Sequence, residues 1–281
     1  MEYKRLICQK EGHIATVTLN RPQSANAFDF LLMEEIDYVF RDDLDKDDNV
    51  RAIVLTGAGK YFSAGVDLSM FVKGNAQVEK EEMDKGVASS RVGEQAEEVP
   101  WGKGTVVGAV AFMQTMGKPV IAAVNGPAAG MGVSFALACD IRIASDNARF
   151  AMMFVKRGLA PDTAGSFTLP RVVGFAKARE LLITGETIDA AEAYRIGMVS
   201  KVVPPEQLMP ATKELARKIA ELPPMAVALN KMAVHKSMAQ TDIIAQMMVE
   251  IEYQDKLMAT EDFQEAAAAF MEKRPAVFKG K

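Results

Sequence analysis

The sequence predicts an α/β core that gives way to an all-helical C-terminal region, and three observations carry that expectation. Strand-like apolar runs alternate with helical patterns through residues 1–205, two of the strand-to-helix junctions are built from small residues, and the β signal stops near residue 206. Alternating β and α units imply a sheet covered by helices.

Residues 4–10 and 13–19 are two β-rich runs separated by Glu11-Gly12, a hairpin signal, and Asn20-Arg21-Pro22 ends the second. From Asp29 to about Phe40 the pattern turns helical, with Leu32, Ile36 and Phe40 spaced four apart and Asp29 placed as N-cap. A strand at 52–56 follows. Residues 73–103 are dominated by Lys, Glu, Asp and Gly and carry the single tryptophan, Trp101. This stretch reads either as a surface lid over a pocket or as a plain solvated helix.

A second strand, Val120 to Val124, leads into a helix ending near Ala138, and a third covers 141–144. Residues 206–222 place Leu208, Leu215, Ile219 and Leu222 on one helical face, and 241–258 stack Ile244, Met247, Met248 and Ile251. A helical tail with this many apolar positions packs on its own domain or meets a neighbouring subunit, which favours a homo-oligomer.

Composition narrows the function classes. A chain of 281 residues that is 49% hydrophobic can bury a large core. Its net charge of −4, without a basic block, argues against nucleic acid as a partner. Two distant cysteines, Cys8 and Cys139, sit in apolar patterns and read as buried thiols of a reducing compartment. Met1-Glu2-Tyr3-Lys4-Arg5 lacks the apolar h-region of a secretory signal, so the expected location is cytoplasmic. Two histidines, His13 and His235, do not make a His-rich metal site. Pro119 to Cys139 is 21 residues without a charge, but Asn125, Pro127 and three glycines interrupt it. It reads as core rather than as a membrane span.

The chemistry lies in the two junctions. Phe62-Ser63-Ala64-Gly65-Val66-Asp67-Leu68 follows one strand, and Asn125-Gly126-Pro127-Ala128-Ala129-Gly130-Met131-Gly132 follows the next. Small residues let a ligand approach the backbone, and a helix start leaves N–H groups unpaired. Each turn alone is common packing; together they can aim two donors at one oxygen, the layout of an oxyanion hole. Neither matches a P-loop or a complete dinucleotide fingerprint.

Five stretches then add up to a family. Leu19-Asn20-Arg21-Pro22 with Asn26-Ala27, Phe62 to Leu68, Lys118 to Gly126, Cys139-Asp140-Ile141-Arg142, and Leu181 to Gly185 occur in order over the chain. Together they resemble the crotonase superfamily, the enoyl-CoA hydratase/isomerase group. The resemblance implies a spiral of ββα units over 1–205 and a helical trimerisation region over 206–281, assembled as a trimer or a dimer of trimers. It implies acyl-CoA thioesters as substrates, with no separate cofactor and no metal.

Carried over by position, the thioester oxygen would be held by the backbone N–H groups of Ala64 and Met131. Gly65, Val66, Asp67, Gly130, Ser134 and Phe154 would surround the substrate. Three positions depart from the family pattern. Met131 stands where glycine is usual, and Ser134 and Phe154 stand where hydratases carry their two catalytic glutamates. Hydration by the usual route needs both carboxylates.

Asp162, in Gly158-Leu159-Ala160-Pro161-Asp162, resembles the acid–base residue of enoyl-CoA and dienoyl-CoA isomerases, and the nucleophile of 4-chlorobenzoyl-CoA dehalogenase. By sequence alone it serves equally as the N-cap of a short helix. Double-bond isomerisation with Asp162 as acid and base is the favoured expectation. The alternatives are a hydratase using another carboxylate (Glu94, Glu97 or Glu98), an Asp162-dependent hydrolase or dehalogenase, and a CoA-binding relative without catalysis.

Overall fold

A six-stranded sheet forms first from a hairpin. β1 (Leu6–Glu11) and β2 (Ile14–Leu19) pair antiparallel around Gly12-His13, where Gly12 takes φ +57°. The computed structural model describes residues 2–72 and 105–281, so the charged 73–103 stretch, with Trp101, Glu94, Glu97 and Glu98, lies outside the described residues. β3 (Ala52–Gly57), β4 (Val120–Val124), β6 (Ile141–Ser145) and β9 (Lys201–Val203) then add in parallel, giving the order β1-β2-β3-β4-β6-β9. A second sheet, β5-β7-β8, is made of β5 (Ala128–Ala129), β7 (Arg149–Ala151) and β8 (Thr187–Asp189).

The chain thus winds in ββα repeats. β4 lies in the large sheet, β5 in the small one, and the helix Met131–Ala138 follows; β6, β7 and the helices after them repeat the move. The first repeat is the same in outline: after β3, Ser63 forms a bridge to Ala128 before the helix Ser69–Val72 begins.

β3 and β4 are buried along their whole length because both faces of the sheet are covered. The two-residue period divides their side chains: Ile53 and Leu55 join the main core with Phe28, Phe62 and Phe135, whereas Ala52 and Val54 face a second core with Ile121 and Leu208. The helix Pro205–Ala220 covers that second face. The class change near 206 is therefore not a break in packing, since the first C-terminal helix closes the sheet. This helix stops at Ala220, so Leu222 falls beyond its end and is exposed, unlike Leu208, which is buried.

The N-cap expected at Asp29 is present, its carboxylate accepting from the Leu32 N–H at 2.8 Å ahead of the helix Phe30–Tyr38. That helix continues as a π-helical segment, Val39–Leu44, whose open end is closed by the Lys118 ammonium. Lys118 Nζ donates to the carbonyls of Leu44, Asp45 and Asp47 at 2.6, 2.9 and 2.6 Å. Of the two thiols, Cys139 is buried, which pushes its pKa up to about 12, but Cys8 is half-buried because β1 is an edge strand.

The charge-free 119–139 stretch is divided among β4, β5 and the helix Met131–Ala138, and among the described residues no helix is long and apolar enough to cross a membrane. The helix Pro224–Ser237 is tied to the core through Lys231, which pairs with Asp140 at 2.9 Å and donates to Met113 O at 2.7 Å. Beyond it, the helices Ile243–Met258 and Glu261–Glu272 present apolar side chains outward. Ile244 is 61% exposed and Phe270 82%, with Met247, Met248 and Ile251 beside them on the first helix.

Candidate active site

The two Gly-bearing turns are knitted into one unit by backbone hydrogen bonds. Phe62 and Ser63 N–H donate to Pro127 O at 3.1 and 3.3 Å, and Ala129 N–H donates back to Ser63 O at 2.9 Å. Two asparagine carboxamides fix the approach: Asn26 donates to Ala58 O and Tyr61 O, and Asn125 donates to Gly59 O while accepting from Gly57 N–H.

Glycine is required where the turns touch. Gly65 has φ +89°, and a Cβ there would stand 2.6 Å from Ala129 O and 3.3 Å from Met131 N; a Cβ on Gly132 would stand 2.5 Å from Ser63 O. The close contact of Gly65 with Met131 N places the N–H following Gly65 beside the start of the helix Met131–Ala138.

Which N–H groups remain free is decided by the rest of the network, and it corrects the sequence expectation at one position. Ala64 N–H donates to Ala25 O at 2.9 Å, so it is engaged. Gly65 N–H takes Ser63 Oγ at 3.2 Å, and Asp67 N–H takes Phe28 O at 3.0 Å. Val66 N–H has no partner among the described residues. Met131 N–H, the first of its helix, likewise has no partner among the described residues, whereas Gly130 N–H donates to Ala151 O at 2.8 Å. The available donors are therefore those of Val66 and Met131, not Ala64 and Met131. Sequence signals could not show this, because the acceptor that engages Ala64 lies 39 positions earlier in the chain.

Both donors line a cavity of about 600 Å³. Ala64, Gly65, Asp67, Gly130 and Phe154 share its wall, with Leu159 and Arg157 from the third repeat. Phe154 is buried, and its ring edge comes within 3.7 Å of where a Cβ on Gly130 would stand. Asp67 is also tied into the wall. Its carboxylate accepts from Ser69 Oγ at 2.7 Å and from Arg21 at 3.0 Å, and these bonds hold it below the usual carboxylate range. Arg21 also pairs with Asp29 at 3.2 Å and donates to Ala27 O.

This pairing has a pH signature. A lowered carboxylate pKa stabilises the fold above the unfolded value of about 3.9 and loses that contribution as pH falls. Asp67→Asn is expected to destabilise the protein by about 1–3 kcal/mol at pH 7. Denaturant midpoints of wild type and variant should converge below pH 4, and a constant gap would contradict the assignment.

Ser134 and Asp162 do not line the cavity. Ser134 is fully buried, its Oγ without a partner and only 2.5 Å from where a Cβ on Gly165 would stand, so it sits in the contact between the helices Met131–Ala138 and Gly165–Val173. Asp162 lies between Leu159, on the cavity wall, and Gly165, on Ser134. It is not the N-cap of the helix Gly165–Val173; that place is taken by Ala164, with no side-chain cap. Its Oδ1 instead accepts from Thr163 Oγ at 2.5 Å. Burial raises its pKa above the ordinary carboxylate value, opposed by the Thr163 hydroxyl and its own backbone N–H.

The turn that carries Asp162 is strained. Gly165 N–H donates to Asp162 O at 2.8 Å, and the two residues between, Thr163 and Ala164, both have positive φ, +49° and +60°. That pattern belongs to type I′ turns, where Gly, Asn and Asp are usual. A β-branched residue there is an outlier and costs about 1–3 kcal/mol. Among the described residues no three His, Cys, Asp or Glu side chains gather as a metal site would require.

Known proteins share this fold and much of this sequence. The family profile for enoyl-CoA hydratase/isomerase matches residues 9–281. The chain is 41% identical to the short-chain-enoyl-CoA hydratase of Clostridium acetobutylicum, over 98% of this chain and 97% of that one. It is 34% identical to the 1,2-epoxyphenylacetyl-CoA isomerase of Escherichia coli, over 98% of each. The crystal structure of an enoyl-CoA hydratase from Bacillus anthracis superimposes with a TM-score of 0.87 at 30% identity, covering 99% of this chain and 100% of that one. With the ββα winding and the paired turns in place, the chain belongs to the enoyl-CoA hydratase/isomerase family of the crotonase superfamily.

Proposed function

We propose that the protein isomerises the double bond of an enoyl-CoA, with Val66 and Met131 N–H as the oxyanion hole and Asp162 as both acid and base. The observation that carries this reading is the coexistence of two N–H donors without partners among the described residues and, behind the cavity wall after Leu159, one buried carboxyl of raised pKa, while Asp67 is the one carboxylate on the described wall and is already engaged. The donors hold the thioester oxygen as it gains negative charge. Asp162 takes the proton from the carbon next to the carbonyl of a 3-enoyl thioester, and the dienolate takes it back two carbons further along. The product is the conjugated 2-enoyl thioester. A raised pKa brings the carboxylate closer to the basicity the step needs.

Relatives named as hydratases support a second reading, in which water adds to the 2-enoyl thioester with a carboxylate from elsewhere. Ser134 and Phe154 count against it, since neither supplies the carboxylate that this route uses. Hydrolase or dehalogenase chemistry through Asp162, and a silent acyl-CoA-binding role, remain as lesser alternatives. Incubation with 3-enoyl-CoA and, in parallel, with 2-enoyl-CoA in deuterated water separates the isomerase, hydratase, hydrolase and silent readings. The isomerase reading expects 3-enoyl-CoA to become the conjugated product, with deuterium at the γ-carbon only as far as the Asp162 proton exchanges with solvent before it is returned. A 3-hydroxyacyl product from 2-enoyl-CoA with 3-enoyl-CoA left unconverted, release of free CoA, or binding of 3-enoyl-CoA without conversion would each overturn it.

The exposed apolar faces of Ile243–Met258 and Glu261–Glu272 support self-association, and a trimer or dimer of trimers is the assembly proposed. Ile244→Glu combined with Met248→Glu should shift the protein to monomer in light scattering, by placing charge on a face that would otherwise be desolvated. An unchanged mass would remove these helices from the interface.

A further inference from the structure

Thr163 combines three features that packing alone does not require together. It is 4% exposed, it is β-branched at φ +49°, and its hydroxyl donates to the Asp162 carboxylate at 2.5 Å. Glycine would take this backbone without strain, so what threonine adds is the hydroxyl together with a buried methyl, which valine would keep. Oδ1 of Asp162 takes that hydroxyl, which leaves Oδ2 free of any side-chain donor among the described residues.

Among the described residues no charged group acts on the carboxylate. Lys156 and Arg157, on the preceding turn Met153–Arg157, are exposed, and the packed helix Met131–Ala138 carries no titratable side chain. On the following helices, Arg171 lies over the Phe167 ring at 3.5 Å, Arg179 is exposed, and Lys177 pairs with Glu180 and Glu192.

We propose that Thr163 is a positioning residue for Asp162: the strained turn presents its hydroxyl to Oδ1, fixes the carboxylate rotamer and leaves Oδ2 as the oxygen that exchanges the substrate proton. This inference rests on Asp162 being the acid and base. The hydroxyl stabilises the ionised form, so it also sets where the acid limb of activity lies.

Three variants test it, with 3-enoyl-CoA as substrate and Asp162→Asn run alongside. Thr163→Val keeps the shape and removes the donor; kcat should fall about 10- to 100-fold, and the acid limb of kcat/KM should move to higher pH. Thr163→Ser should restore both. Thr163→Gly, which also lacks the hydroxyl, should be as slow as Thr163→Val. A Thr163→Val or Thr163→Gly enzyme with wild-type kcat and pH profile overturns the inference. If Asp162→Asn is inactive while Thr163→Val behaves as wild type, only the positioning role fails. If Asp162→Asn itself turns over normally, the isomerase reading fails with it.

Discussion

Asp162→Asn is expected to lower kcat for 3-enoyl-CoA isomerisation by about 10²–10⁴-fold, the usual contribution of a positioned acid–base group. Acyl-CoA binding should change little, because the thioester is held by the Val66 and Met131 N–H groups, which the substitution leaves in place. The same substitution should stabilise the fold at neutral pH. Burial raises the Asp162 pKa, so the folded state holds its proton more tightly than the unfolded chain does. Stability is therefore full below the unfolded value of about 3.9 and declines as pH rises through the folded pKa. Asparagine carries no charge to desolvate, so its advantage in thermal midpoint should be present at pH 7 and absent at pH 3. An inactive variant without that pH-dependent gain would point to lost structure rather than lost chemistry.

The second large effect is expected at Gly65. Alanine there meets Ala129 O at 2.6 Å on a backbone of φ +89°, so the turn must shift and carry the Val66 N–H away from its partner donor on Met131. Loss of one oxyanion donor costs about 10²–10³ in kcat. Met131→Gly is the control: it retains the N–H and removes only a side chain, so kcat should stay near wild type. Far-ultraviolet circular dichroism and acyl-CoA binding of Gly65→Ala distinguish a displaced donor from a misfolded chain. If both variants lose activity equally, the Met131 side chain rather than the donor pair is at work.

These expectations show how much of the site local sequence can carry. The two turns, the Asp29 cap and the succession of strands and helices are legible because each is encoded within a few residues. Which donor is free is not local: Ala64 was the natural choice from position, and only the approach of Ala25 O excludes it. The role of Asp162 follows the same logic. Its place before a helix suggests a cap, but positive φ at Thr163 and Ala164 turns the helix start away and leaves the carboxyl to the Thr163 hydroxyl. That Arg21, 46 positions earlier, holds the Asp67 carboxylate is likewise out of reach of local sequence. Cys8 reads as buried because sequence does not reveal that its strand ends up on the sheet edge.

The bridge between Ser63 and Ala128 fastens the first winding of the chain to the second, and both donors sit within those two windings. Phe154 and Asp162 come from the third, whose strand β7 pairs with the same Ala128–Ala129. The three windings therefore meet at β5, and the backbone that presents Met131 N–H is held by Ala151 O on one side and by Ser63 on the other. Substitutions at Phe150 or Ala151 are transmitted to that backbone, as is any change at the Gly65–Gly132 seam.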